Sequence, residues 1–480
     1  MRIAVRRTSA AVKEQGARNV AFVLFCAFTI SYFLHFTRRW APLGTIHLDL
    51  LLALATVIAS ALAARKGAVG RRGSPPPREQ MDPVTVRLWI LVGYILVTIP
   101  LVEWPGSVLV NMESFAKSIS LYFLVLAIVD TTRKLRWLLG IYVFTQAYRV
   151  LEPLVMHLKS GYWGSSTSIG NWEVMDRLSG APSDIINPNG LAFVIILTLP
   201  MLHFLVRPDT ALRRVVWVAI AAAMCYALVL SASRSGFLAF LFLCLFVIWR
   251  SKHRVTLLAA TVVVSIVAVS LMTGLQKGRY LSIVSSNAPG AATAQERIEG
   301  VKGDFKVSLR RPFFGHGLGT SREANVHFRN VDLPSHNLYT EAAEELGYIG
   351  LALLLALIWS FVRACRIAQQ VTSAAGTENE RLRFLHSVAS SLVVVVAVDL
   401  FFSFAAYGLS EPYWYFYGGL TVVTARLAIK LAPAAARENA AALAARASRS
   451  FRGRPRGAAV AGGRMLAAAR IGRTTPRNRS

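Results

Sequence analysis

The sequence predicts an all-α polytopic integral membrane protein with about twelve transmembrane helices and a large extracytoplasmic loop. Three observations carry that prediction. The composition is 54% hydrophobic and only 16% charged, with a mean hydropathy of +0.47, whereas a soluble domain has about a quarter of its residues charged. Apolar stretches of about 20 residues, the length that crosses a hydrocarbon core of roughly 30 Å, recur along the whole chain. The Lys and Arg residues behind the net charge of +28 fall mostly in short connections and in the C-terminal region. That distribution follows the positive-inside rule and argues against nucleic acid as a partner.

The first span is expected near 20–36, behind a basic leader with Arg2, Arg6, Arg7, Lys13 and Arg18. It is longer than a signal-peptide core, and no small-x-small cleavage site follows it, so it reads as a retained span. The second lies near 43–64, before a connection rich in Arg, Gly and Pro that includes Pro75-Pro76-Pro77. Spans three to five, near 86–103, 113–130 and 135–152, precede a polar loop at 153–187 that holds Trp163, Asn171, Trp172, Asp176 and Arg177. Spans six to nine, near 189–206, 213–231, 235–249 and 255–273, precede the long polar loop at 274–337. Spans near 338–362, 384–407 and 412–430 complete a membrane-embedded domain of residues 1–430. Residues 431–480, with Arg452-Gly453-Arg454-Pro455-Arg456, read as a basic cytoplasmic tail. Its start suits a helix, the rest reads as disordered, and its charge is drawn to anionic lipid.

With the N-terminus in the cytoplasm, every second connection is cytoplasmic. Those are the basic ones: 65–85, Arg133 to Arg136, Arg207 to Arg214, Arg250 to Arg254, Arg363 to Arg383, and the tail. Both termini are then cytoplasmic, and the loops at 153–187 and 274–337 face outward. Span four is the least apolar, because Glu113 and Lys117 lie within it. The long outward loop carries several Lys and Arg on the side that usually lacks them. Cys26, Cys225, Cys244 and Cys365 sit in or beside spans and none lies in the long loop, so no disulfide framework, metal motif or cofactor is expected.

A charge within a span is costly and marks a functional candidate. Arg234 lies in Ser231-Ala232-Ser233-Arg234-Ser235-Gly236, between two apolar runs with almost no loop. Small residues let helices approach closely, and a planar guanidinium suits phosphate oxygens; the alternative is an arginine snorkelling to headgroups. Arg149, near the outer end of span five, is either a similar cation or the partner of Glu152 one turn on. Asp399, in span eleven, reads as a buried packing residue. Within the long loop Ala294 to Arg310 predict an amphipathic helix, with Ile298, Val301, Phe305 and Leu309 at helical spacing and Arg297, Lys302 and Lys306 elsewhere on its surface. Such a helix suits the membrane interface. The run from Arg310-Arg311-Pro312 to Gly315-His316-Gly317-Leu318-Gly319 allows either a plain turn or backbone amides brought close to an anion.

His336 is the strongest single candidate. It ends the long loop in Pro334-Ser335-His336-Asn337 and opens the next span, at the lip of the bilayer where a lipid-attached substrate presents its polar head. Glu341, Glu344 and Glu345 follow in the first turns, where carboxylates suit the helix dipole or orient an imidazole. Histidine is the usual acceptor of a proton from an attacking hydroxyl near neutral pH.

His336-Asn337, nine residues, then Gly347-Tyr348-Ile349-Gly350 resembles the motif of bacterial O-antigen ligases, His-[Asn/Ser/Gln]-x9-Gly-x-x-Gly. Ser233-Arg234-Ser235-Gly236 is similar to the arginine-bearing segment of the same superfamily, and Arg297 through Pro312 to Gly319 to its arginine-to-glycine stretch. Asn187-Pro188-Asn189-Gly190, leading to Leu199-Pro200, resembles its entry to a span; together these features cover residues 187–350. The resemblance implies a GT-C-like glycosyltransferase at the bacterial inner membrane with its active site facing the periplasm. The donor would be a glycan on undecaprenyl diphosphate and the acceptor a sugar hydroxyl, on the lipid A core for a ligase or on another lipid-linked glycan for an O-antigen or exopolysaccharide polymerase. Within it, His336 and Arg234 are the catalytic candidates, and Arg149, Arg297, Arg310, Arg311 and Asn337 the substrate-binding ones. His336 acts as base toward the acceptor or holds the acceptor or the phosphate. The spacing after His336 favours a ligase over a polymerase. No nucleotide is available outside the cytoplasm, so the donor brings its own leaving group, and cations neutralise the charge developing on the diphosphate. A flippase or transporter for lipid-linked sugars is the competing class; it predicts paired halves, and no internal duplication is visible.

Overall fold

The computed structural model describes residues 2–70, 81–170, 173–184, 186–206, 210–283, 285, 291–376, 379–406 and 408–452. Most of the Arg-, Gly- and Pro-rich connection, Asn171, Trp172 and the tail beyond residue 452 lie outside these described residues.

The chain is a bundle of long helices with one small hairpin. α1 (Arg2–Leu34) is followed by the short α2 (Phe36–Arg39) and α3 (Ala41–Thr45), and α4 (Leu48–Gly70) returns along α1. α5 (Pro83–Thr98) starts where the Asp82 carboxylate accepts from the Val84 and Thr85 amides, with Pro83 preset for the first turn. A 3-10 turn at Ile99–Leu101 leads to α6 (Pro105–Ile128), and Thr131 caps α7 (Thr132–Ser160). Strands β1 (Gly164–Gly170) and β2 (Glu173–Leu178) then pair antiparallel, Gly164 opposite Leu178 and Ser166 opposite Asp176. Helices α8 (Pro188–Val206), α9 (Ala211–Ser231), α10 (Arg234–Arg250) and α11 (Arg254–Leu271) follow. The helices α12 (Gly274–Leu281), α13 (Ala291–Ser308) and α14 (Ser321–Arg329), all within the 274–337 excursion, precede α15 (Leu338–Ala374), α16 (Glu380–Phe402) and α17 (Pro412–Arg452).

Seven of the described helices, α1, α4, α5, α6, α9, α15 and α16, are long and apolar enough to cross a membrane. α8 and α11 carry shorter apolar stretches, Pro188–Phe204 and Arg254–Val267. Each predicted span falls on one of the long helices, and the helix expected over Ala294 to Arg310 is present as α13. The loop at 153–187 holds the β-hairpin, and the one at 274–337 is largely helical. In α6 the doubtful Glu113 and Lys117 neutralise each other as an i,i+4 pair at 2.5 Å on an exposed face.

The buried core runs through α5 to α8 and α15 to α17, with Tyr122, Tyr142, Phe361, Phe416 and Tyr417 fully enclosed. The outward faces are apolar as well: Leu51 and Val57 on α4 and Val263 and Ile266 on α11 are more than half exposed. Lipid removes any penalty for such a face, so packing and internal hydrogen bonds hold the helices together. The Tyr142 and Tyr417 hydroxyls, 2.5 Å apart, are one such link. α13 packs on α15 with Asp304, Val307 and Ser308 buried, while its predicted apolar stripe, Ile298, Phe305 and Leu309, is about half exposed.

Candidate active site

The tight turn between α9 and α10 is the hub of the site. α9 ends where Ala232 turns left-handed at φ 46°, and α10 starts on Ser233, whose hydroxyl accepts from the Gly236 amide at 3.2 Å. The turn lies hard against α8: a Cβ at position 236 would stand 2.4 Å from the Ala192 methyl. Arginines from two other segments hold its carbonyls. Arg177 of β2 donates Nε to Ser231 O at 2.9 Å and Nη2 to Asn189 Oδ1 at 3.0 Å. That same Asn189 oxygen accepts from the Ser233 hydroxyl at 2.9 Å. Arg279 of α12 donates Nε to Ala232 O at 3.0 Å. Arg234 reaches into the 274–337 excursion, Nη1 to Ser282 Oγ at 2.7 Å and Nη2 to Thr293 Oγ1 at 2.9 Å.

Four guanidiniums, Arg177, Arg234, Arg279 and Arg297, therefore act on one another. Arg177 and Arg279 are each only 6% exposed. Burial, followed by the charges of Arg279, Arg297 and Arg234, pushes Arg177 down to about 9. Burial, followed by Arg234 and Arg297, pushes Arg279 down to about 10. Burial also lowers Arg297. Arginine ordinarily stays charged at any accessible pH, so these shifts mean that positive charge is stacked and partly dehydrated. Arg279 Nη1 is buried with no hydrogen-bond partner among the described residues. The amide end of α10 adds its positive dipole. Planar donors, dehydration and excess positive charge make a site for an anion with several oxygens, of which a diphosphate is the natural case.

His336 stands at the edge of this cluster. Burial first, then Arg297, lowers its pKa below the usual 6.5, while the Ser335 backbone and Asp304 oppose the shift. The imidazole is neutral at neutral pH and able to accept a proton. Asn337 fixes where it sits. As N-cap of α15, its Oδ1 accepts from the Tyr339 and Thr340 amides at 2.9 and 3.3 Å, and its Nδ2 donates to Phe404 O at 3.2 Å. Asn337 is thus a cap of α15 and a strut to the chain just beyond α16.

α15 is broken at Gly347, whose φ of 71° and ψ of 178° lie outside the helical region. The break frees backbone groups that the run at 310–319 takes up. His316 N donates to Glu344 O at 2.8 Å, Gly317 N to Glu345 O at 2.9 Å, and Tyr348 N to Pro312 O at 2.7 Å. A Cβ at Gly347 would lie 2.3 Å from Phe313 O, so glycine is required for the two backbones to meet. Gly315 packs on the backbone around Gly347, whereas Gly317 and Gly319 pass close to the side chains of Val108 and Asn111 on α6. Of the nearby carboxylates, Glu345 accepts from the Gly319 and Ser321 amides and Glu341 from the Gly408 and Leu409 amides. They order the surrounding loops instead of orienting the imidazole.

Arg149 is not paired with Glu152. Its Nε and Nη2 hold Asp184 at 2.6 and 2.9 Å, and its Nη1 donates to Gln146 at 3.2 Å and the Tyr413 hydroxyl at 3.1 Å. Glu152 pairs with Arg39 at 2.7 Å. Burial opposes charge on Asp184, but His35 and Arg149 together hold its carboxyl down at about 2. With every arm of its fork engaged, Arg149 ties α7 to the chain before α8 and to α17. Arg310 lies over the Phe328 ring at 4.5 Å, and Arg311 donates to Leu101 O at 3.0 Å. Both belong to the flank around Glu103 and the buried His316, whose Nδ1 is 2.7 Å from Glu103, and the charges acting on His336 are Arg297 and Asp304.

Of the expected site residues, Arg234 and His336 are each acted on by the charge of Arg297. Arg177 and Arg279 join them without having been singled out. Their signal was an arginine on a connection that the charge rule assigns to the side poor in arginine.

Residues 219–355 match the family model described as O-Antigen ligase. The chain is similar to O-antigen ligases. The matched stretch contains Arg234, Arg279, Arg297, His336 and Gly347, while Arg177 and Asn189 lie before it. The match supports a membrane enzyme of the O-antigen ligase or polymerase type. No curated protein matches the chain.

Proposed function

We propose that the protein transfers a glycan from undecaprenyl diphosphate to a sugar hydroxyl at the outer face of the bacterial inner membrane, as an O-antigen ligase does. The proposal takes α1, α4 to α11 and α15 to α17 as spans with both termini cytoplasmic. The observation that carries it is the gathering of Arg177, Arg234 and Arg279 on the α9–α10 turn, with Arg297 acting both on them and on His336. In the reaction the bond between the anomeric carbon and the phosphate oxygen breaks, and the diphosphate leaves with the electron pair. Arg234, Arg279, Arg297 and Arg177 bind the charge that develops on it. The acceptor hydroxyl oxygen bonds to the anomeric carbon, and its proton passes to His336 and on to solvent. A cluster of cations is most repulsive when empty and most relieved when the leaving diphosphate carries its full charge. Binding is thereby weighted toward the transition state.

The test is transfer by the purified protein in lipid nanodiscs, read as release of undecaprenyl diphosphate from a glycan-bearing donor. Arg234→Ala and His336→Ala are each expected to slow transfer by about 10²–10³-fold. Wild-type rates in both variants overturn the assignment. Vesicles in which the lipid crosses the membrane with its glycan unchanged indicate a flippase. In a deletion strain, long unattached glycan on the carrier indicates a ligase, and single repeats indicate a polymerase.

A further inference from the structure

A second binding region lies on the other flank of the 274–337 excursion. A cleft of about 560 Å³ opens between the first turns of α6 and helix α14. Trp104 lies at one end, half-buried, its ring 5.6 Å from His316 and 5.9 Å from His327. The walls combine apolar surface from Trp104, Val110 and Val326 with side chains of both signs of charge. Arg322 and Asp332 form a two-pronged pair at 2.6 and 2.8 Å, with both side chains more than half exposed. Glu323 accepts from the Ser107 hydroxyl at 2.8 Å. Asn111 spends its Nδ2 on Ser107 O and Gly319 O, both at 3.0 Å, which turns its Oδ1 to act as acceptor.

We propose that this cleft is a saccharide subsite that holds the uncharged sugar rings of a glycan substrate; this rests on the glycan-transfer reading above. Three features fit sugar and disfavour other ligands. An indole offers a flat apolar face to the C–H face of a pyranose. Exposed carboxylates, a guanidinium and an amide offer the paired donors and acceptors that vicinal hydroxyls need. The mixed charge, one arginine against Glu323 and Asp332, gives a diphosphate no reason to settle here, in contrast to the arginine cluster. The volume falls in the ordinary range for a small-molecule site, about 300–1,000 Å³. The cleft also joins two parts of the chain: α14 lies within the stretch matched to O-antigen ligases and α6 lies before it. Charge recognition and sugar recognition are thus assigned to different flanks of one excursion.

The experiment measures dissociation constants for the full-length protein in nanodiscs with three probes. They are a repeat-unit oligosaccharide cut from the host's surface polysaccharide, a core oligosaccharide from its outer glycolipid, and undecaprenyl diphosphate without sugar. Wild type is expected to bind one of the oligosaccharides; the first identifies donor glycan in the cleft, the second acceptor. The double variant Arg322→Gln with Asp332→Asn, both on the exposed rim, should weaken that binding about tenfold or more, since bonds to charged groups are lost. Trp104→Leu should do the same, and both should leave sugar-free undecaprenyl diphosphate within about twofold, because neither touches the arginine cluster. Oligosaccharide binding unchanged in both variants, or absent in wild type, overturns the subsite. Failure of the sugar-free lipid to bind wild type counts against the diphosphate reading alone.

Discussion

Arg149 and Arg279 are both almost enclosed, 2% and 6% exposed, and their surroundings are electrostatic opposites. Arg149 faces a carboxylate, an amide and a phenol that take up its whole fork. Arg279 has arginines as its charged neighbours and one buried nitrogen without a hydrogen-bond partner among the described residues. An arginine inside a membrane protein is therefore no functional mark by itself. A compensated one holds helices together, and a cluster of like charges waits for an anion.

Stability should show the largest difference. Arg149→Ala leaves the buried Asp184 carboxylate with His35 alone and is expected to cost about 3 kcal/mol, measured by unfolding of the purified protein in detergent. Arg279→Ala relieves repulsion and should leave stability unchanged or raised. Equal losses in the two variants break the comparison. Transfer should show the reverse, with Arg279→Ala slowing it about 10²-fold in a protein that remains folded.

A ligand sharpens the contrast further. Pyrophosphate at about a hundred times its dissociation constant should stabilise wild type by about 2.7 kcal/mol, read as a rise in unfolding temperature, and less in Arg279→Ala. Removing the cap, Asn337→Ala, should cost about 1 kcal/mol and lower the rate by freeing His336; Asn337→Asp should restore the cap but not the bond to Phe404 O, and so recover only part of the loss. The smallest effect is on pH. His336 has a lowered pKa, so it stays unprotonated down to a value below 6.5. The rate should therefore fall only as pH drops through that lower value. Arg297→Gln removes one of the two causes of the shift and should move the acid limb up toward 6.5. A limb that ignores Arg297 separates the imidazole from the cluster.

The order of the long helices was legible in the sequence because a run of apolar residues is a local property. Arg234 and His336 were legible because each is a polar residue at the end of such a run. Other features depend on contacts that no local spacing reveals. Glu152 is the near neighbour of Arg149 in sequence, yet the partner is Asp184, 35 positions away. The strands at 164–178 are short and polar and give little alternation to read. The glycines after Pro312 were compatible with an anion cradle or a turn; only the fold shows that Gly315 packs on the break at Gly347 and that Gly317 and Gly319 pack on Val108 and Asn111 of α6. Arg177 and Arg279 carried a weaker signal, positive charge on the side that should lack it, and only the fold gathers them onto one turn.

An experimental structure with sugar-free undecaprenyl diphosphate bound is the most direct test. The expected density places the diphosphate oxygens within hydrogen-bond reach of at least two of Arg234, Arg279 and Arg297, with the His336 ring beside them. A diphosphate seated against Arg149 or in the Trp104 cleft, or an imidazole pointing away from the bound phosphates, contradicts the account.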